Sequence, residues 1–88
     1  MTNRRDVLEE AIVTVAEREK SHGDAETFAN NLAEIWSITT GVKIPAWKVL
    51  LMLGQLKDAR IISGDFTHDD HWVDGCGYRA LGCEIANL

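Results

Sequence analysis

The stretch from Pro45 to Ser63 constrains the fold of this chain more than any other. Its apolar residues follow one another so closely that a helix built from them leaves little solvent-facing surface; they are Val49, Leu50, Met52, Leu53, Leu56, Ala59 and Ile61. A helix that is apolar nearly all round belongs in the interior of a domain. We therefore expect a central helix here, with Pro45 tolerated at its first position and Gly64 closing it.

The segment before residue 21 has the apolar spacing of an amphipathic helix. Asn3 or Thr2 can cap its start, and Ser21, His22 and Gly23 stop it, with Gly23 suited to a left-handed cap. One buried face is expected, formed by Val7, Leu8, Ala11, Ile12, Val15 and Ala16.

Two more helices complete the expected fold. The second begins at an Asp24 cap and ends at Gly41, with an inner stripe of Phe28, Leu32, Ile35, Trp36 and Thr39. The fourth runs from about Asp69 to Ala86. Because no segment alternates with the period of a strand, the sequence predicts a single all-α domain over residues 1–88, a compact four-helix bundle.

Three glycines lie inside the predicted fourth helix, namely Gly75, Gly77 and Gly82. Each lowers helix stability by about 1 kcal/mol relative to Ala, so their presence needs an explanation. Close packing against a neighbouring helix, in this chain or in a second copy, supplies one. We expect a homo-oligomer, most simply a dimer, with Gly77 or Gly82 near a close helix–helix contact.

Charge and composition exclude several classes of protein. A formal net charge of −5 argues against non-specific nucleic-acid binding, which depends on neutralising phosphates. No apolar run reaches the roughly 20 residues of a membrane span, and the N-terminus does not resemble a signal peptide. Cys76 and Cys83 are too far apart on one helix for a disulfide and read as reduced thiols, so a cytoplasmic protein is expected.

The stretch from Thr67 to Tyr78 is the richest in chemically active side chains. If a helix begins near Asp69, then Asp70, Asp74 and Tyr78 recur every four residues and share one face. An ordinary surface helix has little use for such a stripe. It is therefore the first candidate for a binding site.

Lys57 and Arg60 lie three apart on the otherwise apolar third helix. Favourable interaction with the helix dipole accounts for Arg60, but Lys57 lies a turn further in and calls for a partner. That partner is either a carboxylate of the fourth helix, Asp74 or Asp70, or a phosphate of a ligand. We predict that Lys57 and Asp74 approach each other across helices three and four.

Turn chemistry explains Gly23 and Asp24 but leaves His22 without a structural role, so His22 is either solvated or functional. Trp72 and Tyr78 offer aromatic rings that could stack on a base. The side chains expected to converge on one ligand-binding cleft are His22, Lys57, Arg60, Trp72, Asp74 and Tyr78.

Four motifs together resemble a family of short uncharacterised helical proteins from tailed phages and prophages. They are His22-Gly23-Asp24, Leu32-Ala33-Glu34-Ile35-Trp36, Leu56-Lys57-Asp58-Ala59-Arg60 and the stretch from His68 to Tyr78. The resemblance covers nearly the whole chain. It implies a cytoplasmic protein of an infected or lysogenic bacterium.

The chain is more distantly similar to the all-α nucleoside triphosphate pyrophosphohydrolases of the MazG type. That resemblance implies dimers or tetramers in which paired carboxylates on two helices hold Mg²⁺ on the phosphates of a nucleotide. The corresponding positions here, Asn31 with Glu34 and His71 with Asp74, keep one carboxylate each. Glu34, Asp70 and Asp74 would be the metal ligands if the chain were such an enzyme, but two or three oxygens should bind Mg²⁺ weakly.

Three functions follow from these observations. The first is binding of a nucleotide or another anionic small molecule, without turnover and without a cofactor. Such binding would counter a host defence. The second is an acidic protein that binds a host protein, in the manner of anti-restriction and anti-CRISPR proteins. The third is Mg²⁺-dependent cleavage of a nucleoside triphosphate.

Overall fold

A computed structural model describes residues 2–22 and 24–88 as four helices with no strand among them. The helices are α1 (Arg4–His22), α2 (Ala25–Thr40), α3 (Ala46–Ser63) and α4 (Asp69–Ala86). The all-α prediction is confirmed, and the fourth helix has the predicted bounds. The predicted cap at Gly23 and the predicted role of the His22 side chain lie outside the described residues.

Short polar side chains fix where the first two helices begin. Asn3 Oδ1 accepts a hydrogen bond from the Asp6 backbone N–H at 2.9 Å, and Asp24 Oδ2 accepts one from the Thr27 N–H at 3.2 Å. Both satisfy a donor that the first turn of a helix leaves free. Gly41 ends α2 with φ of 72°, a left-handed conformation that favours glycine.

The start of α3 departs from expectation by one residue. Pro45 is the N-cap, with ψ of 158°, and the helix begins at Ala46, so the prediction that Pro45 occupies the first helical position was wrong. The extended ψ places the Pro45 carbonyl to accept from the N–H groups of Lys48 and Val49 at 3.0 and 3.2 Å. Pro45 therefore caps the helix through its carbonyl.

Helix α4 packs extensively on α3 and also on α1, whereas the main contact of α2 is with α3. Val49 and Leu50 of α3 are the largest side chains that are fully buried, as expected for a central helix. Yet α3 also has a wide solvent face, because Leu56 is 46% exposed and Ile62 is 85% exposed. The expectation that α3 leaves little solvent face was therefore wrong.

The buried faces of α1 and α2 agree only in part with those predicted. Ala29 and Ala33 are the buried residues of α2, while Phe28, Ile35 and Thr39 of the predicted stripe are exposed. Two alanines let α2 approach α3 closely, which turns the larger side chains outward. On α1 the buried residue is Ala11, and Leu8 and Ile12 of the predicted stripe are exposed.

None of the helices in the described part of the chain combines the length and the apolar character needed to cross a membrane.

Candidate functional site

Asp74 is the residue at which three helices meet. Its Oδ2 lies 2.9 Å from Lys57 Nζ of α3, and its Oδ1 accepts a hydrogen bond from Arg18 Nη2 of α1 at 3.0 Å. The side chains of Asp74 and Lys57 are only 10% and 17% exposed, whereas that of Arg18 is 47% exposed. The predicted approach of Lys57 and Asp74 is confirmed. The contribution of Arg18 was not predicted.

Arg79 forms a second link between α3 and α4. Its Nη2 lies 2.7 Å from Asp58 Oδ2, and its guanidinium passes over Gly54 and Gly75. A Cβ added at Gly54 would lie 3.1 Å from the Arg79 Cζ atom, and one at Gly75 would lie 3.2 Å from Nη1. Gly54 and Gly75 therefore leave the space that the Arg79 guanidinium occupies.

The other two glycines of α4 lie at helix contacts within the chain. A Cβ at Gly82 would meet the Leu50 Cβ and the Trp47 carbonyl of α3, each at 3.4 Å, and one at Gly77 would lie 3.1 Å from a methyl of Val15 in α1. The expected close contact at these glycines is thus present between helices of one chain.

An open groove of about 510 Å³ lies between α1 and α2. It stays open because α1 packs on α4 and α2 packs on α3, which holds the two helices apart. On α4 it is lined by an apolar stripe in which Val73 and Gly77 are buried, Leu81 and Ile85 are half-buried, and Leu88, just beyond the helix, is exposed. We call it the α1–α2 groove.

The polar residues that line the α1–α2 groove are mostly acidic. Its carboxylates are Glu19, Asp24, Glu26, Asp74 and Glu84, whereas Arg18 is the cation among the described lining residues. Since Arg18 and Lys57 both contact Asp74, that carboxylate is balanced within the protein. The remaining four make the groove electronegative.

The structure brings only some of the predicted ligand-binding residues together. Asp74 and Tyr78 line the α1–α2 groove, and Lys57 contacts it only through Asp74. Arg60 is exposed on α3 and is not among the lining residues. Trp72 lies in a separate, shallower depression, where its Nε1 donates to the Phe66 carbonyl at 2.8 Å.

The residues expected to hold Mg²⁺ do not form a cluster. Among the described residues, no three His, Cys, Asp or Glu side chains are placed to hold a metal ion. Asp74 is engaged by two cations, Asp70 lies 3.4 Å from His68 Nε2, and Glu34 is exposed on α2. The carboxylate arrangement that the MazG resemblance implies is therefore not formed here.

Local bonds account for much of the polar loop that precedes α4. Asp65 Oδ1 accepts hydrogen bonds from the hydroxyl and the backbone N–H of Thr67, which lower the pKa of the Asp65 carboxyl. Thr2 Oγ1 donates to Asp69 Oδ2 at 2.5 Å, and the rings of His68 and His71 pack edge to face at 5.6 Å. This loop fixes the start of α4 and lies apart from the α1–α2 groove.

The groove itself was missed at the level of the sequence, although its signal is visible there. Val73, Gly77, Leu81 and Ile85 recur every four residues, which places them on one helix face. Such a stripe is usually read as core, which is correct for Val73 and Gly77, whereas the separation of α1 from α2 leaves Leu81 and Ile85 partly accessible. Arg18 carries no signal of its own among the other charged residues of α1.

Comparison with known proteins places the chain in a family without assigning it an activity. Residues 6–86 match the model of a domain of unknown function, DUF6378, and the chain belongs to that family. No curated protein and no solved structure matches it.

Proposed function

We propose that this protein is a non-catalytic protein-binding module, and that the α1–α2 groove receives an amphipathic helix with cationic flanks. The observation that carries the proposal is the C-terminal part of the apolar α4 stripe, Leu81, Ile85 and Leu88, which is left partly open between two helices and bordered by carboxylates.

The shape of the floor favours an elongated partner. The accessible part of the stripe runs from Leu81 to Leu88 and covers about 10 Å, at about 1.5 Å of rise per residue. Helical peptides bind such grooves by inserting apolar residues spaced three, four and seven apart. An accessible floor of about two helical turns, bordered by the 47% exposed Phe28 of α2, can receive two such apolar residues one turn apart.

The charges of the groove favour a basic partner over an acidic one. Glu19 and Asp24 lie close to the turn between α1 and α2, Glu26 is in the first turn of α2, and Glu84 is on α4. Lysines or arginines that flank an apolar helix face would meet these carboxylates at the rim. Complementary charge of this kind sets the choice of partner and the rate of association. This proposal corresponds to the second function expected from the sequence, an acidic protein that binds another protein.

Binding of a nucleotide or another anionic ligand is a second candidate, supported by one observation. Arg18 and Lys57 share a single carboxylate, so one positive charge is in excess beside Tyr78 at this point of the groove. The four other carboxylates that line the groove oppose an anion. We therefore rank this function second.

Two designed peptides test the proposal directly. Both are 20-residue helices with the same leucine face; one has lysine flanks and the other has glutamate flanks. In fluorescence anisotropy titrations, we expect the lysine peptide to bind at least tenfold more tightly than the glutamate peptide. Combining Glu19→Lys with Glu26→Lys should reverse this preference, because both residues line the groove.

A matched control separates local charge from total charge. Combining Glu10→Lys with Glu17→Lys changes the net charge equally, at exposed positions of α1 that do not line the groove. This variant should keep the preference for the lysine peptide. Equal affinity of the wild type for the two peptides, or tighter binding of ATP or inorganic phosphate than of the lysine peptide, would contradict the proposal.

A further inference from the structure

The side of α2 that faces away from α3 is apolar and uncovered. Phe28, Ile35 and Ile38 are 47%, 57% and 77% exposed, and Val42, just beyond the helix, is 64% exposed. Phe28, Asn31, Ile35 and Ile38 recur at intervals of three and four residues, so these four share one side of the helix, and Val42 follows the left-handed Gly41 cap. We call these five residues the outer face of α2.

We infer that a second copy of this chain covers the outer face of α2. A helix that is apolar on both sides is normally buried on both sides, and the buried Ala29 and Ala33 already occupy the side toward α3. The outer face therefore lacks the contact that its composition requires.

The total accessible surface of the chain indicates that an area as large as a protein–protein interface is uncovered. The accessible surface is 6371 Å², whereas a folded monomer of 9.8 kDa exposes about 5,200 Å². The excess of roughly 1,200 Å² exceeds the roughly 800 Å² that each partner buries in a stable interface of standard size. The radius of gyration is 13.7 Å, whereas a compact chain of this length has about 12 Å, and this difference agrees with the excess of accessible surface.

The pattern of the outer face identifies the partner as a second copy. Intervals of three and four residues are those of a seam between two helices, in which each helix presents the same face to the other. A two-fold interface apposes identical patches, so charged residues within it would repel their own copies. The five residues of the outer face carry no charge, although the chain as a whole has a net charge of −5.

This inference shares one residue with the proposed function, because Phe28 of the outer face also lines the α1–α2 groove, but the two can be tested separately. Leu81 and Ile85, in the floor of the α1–α2 groove, belong to α4, whereas the contact between copies is centred on Ile35 and Ile38 of α2. A monomeric protein that binds the lysine peptide would overturn the inference alone. A dimer that fails to distinguish the two peptides would overturn the proposed function alone.

Sedimentation equilibrium of the full chain at 10 to 100 μM tests the inference. We expect the wild type to sediment at twice its mass of 9.8 kDa or a higher multiple, and Ile35→Glu and Ile38→Glu to sediment as monomers with unchanged helical circular dichroism. Ile62→Glu is the matched control, because Ile62 is an 85% exposed isoleucine on α3 that is outside the outer face of α2. It should leave the assembly intact.

Each other outcome counts against the inference. A monomeric wild type at 100 μM overturns it, and so does an assembly that survives both α2 substitutions. Equal dissociation by Ile62→Glu would show that the contact is not confined to α2. If Ile35→Glu alone unfolds, the more exposed Ile38→Glu decides the result.

Discussion

Asp74→Ala should lower the free energy of unfolding by about 2 to 4 kcal/mol, because it strands Lys57 in a mostly buried position and releases Arg18. Removing one partner of a buried ion pair leaves an uncompensated charge, and that desolvation cost exceeds the value of the pair itself. Urea denaturation at one fixed protein concentration is the measurement, since assembly would couple stability to concentration.

Asp58→Ala is the control for this substitution. Asp58 also pairs with an arginine between α3 and α4, but the side chains of Asp58 and Arg79 are 49% and 41% exposed. An exposed pair of this kind contributes about 1 kcal/mol or less. If Asp74→Ala were no more destabilising than Asp58→Ala, the three-helix junction at Asp74 would not stabilise the fold.

Gly82→Leu should destabilise the protein by about 3 kcal/mol, because its side chain would have to enter the contact with α3. A Cβ at this position already lies 3.4 Å from the Leu50 Cβ and from the Trp47 carbonyl, so further carbons would meet both. Helix α3 would then have to move away from α4. Thermal or urea unfolding measures the effect.

Gly82→Ala tests whether the steric overlap of a large side chain, and not the mere replacement of glycine, destabilises the protein. Its single carbon sits at ordinary contact distance, and alanine favours the helix by about 1 kcal/mol. We expect stability within about 1 kcal/mol of the wild type. Loss of stability as large as that of Gly82→Leu would mean that the contact with α3 cannot accept even one carbon at this position, which would contradict the distances of 3.4 Å.

The sequence predicts the helices well because the signals that bound them are local. Asn3, Asp24, Gly41 and Gly64 each act within one turn of their own position, and the structure ends or begins a helix at each. The Lys57–Asp74 contact was predictable for a different reason. A cation on an apolar helix face needs a partner, and few carboxylates were available on the neighbouring helix.

The orientation of α1 and α2 was harder to predict, because it depends on how closely two helices approach. The spacing of the apolar residues predicts that Phe28 and Ile35 face inward. In the structure the small residues Ala29 and Ala33 are buried instead. The α1–α2 groove was not predicted for the same reason. Leu81 and Ile85 continue the spacing of the buried Val73 and Gly77, so they look like core until the separation of α1 and α2 is known.

The most direct test of the protein-binding proposal is a map of where the lysine-flanked peptide binds. We would titrate the peptide into ¹⁵N-labelled Ile35→Glu protein, so that assembly through α2 does not contribute, and follow the backbone amide resonances. The account predicts the largest shifts at Gly77, Leu81 and Ile85 on the floor of the α1–α2 groove, with Ile62 and Arg60 of α3 unchanged. Shifts confined to residues outside the groove, or none at millimolar peptide, would contradict it.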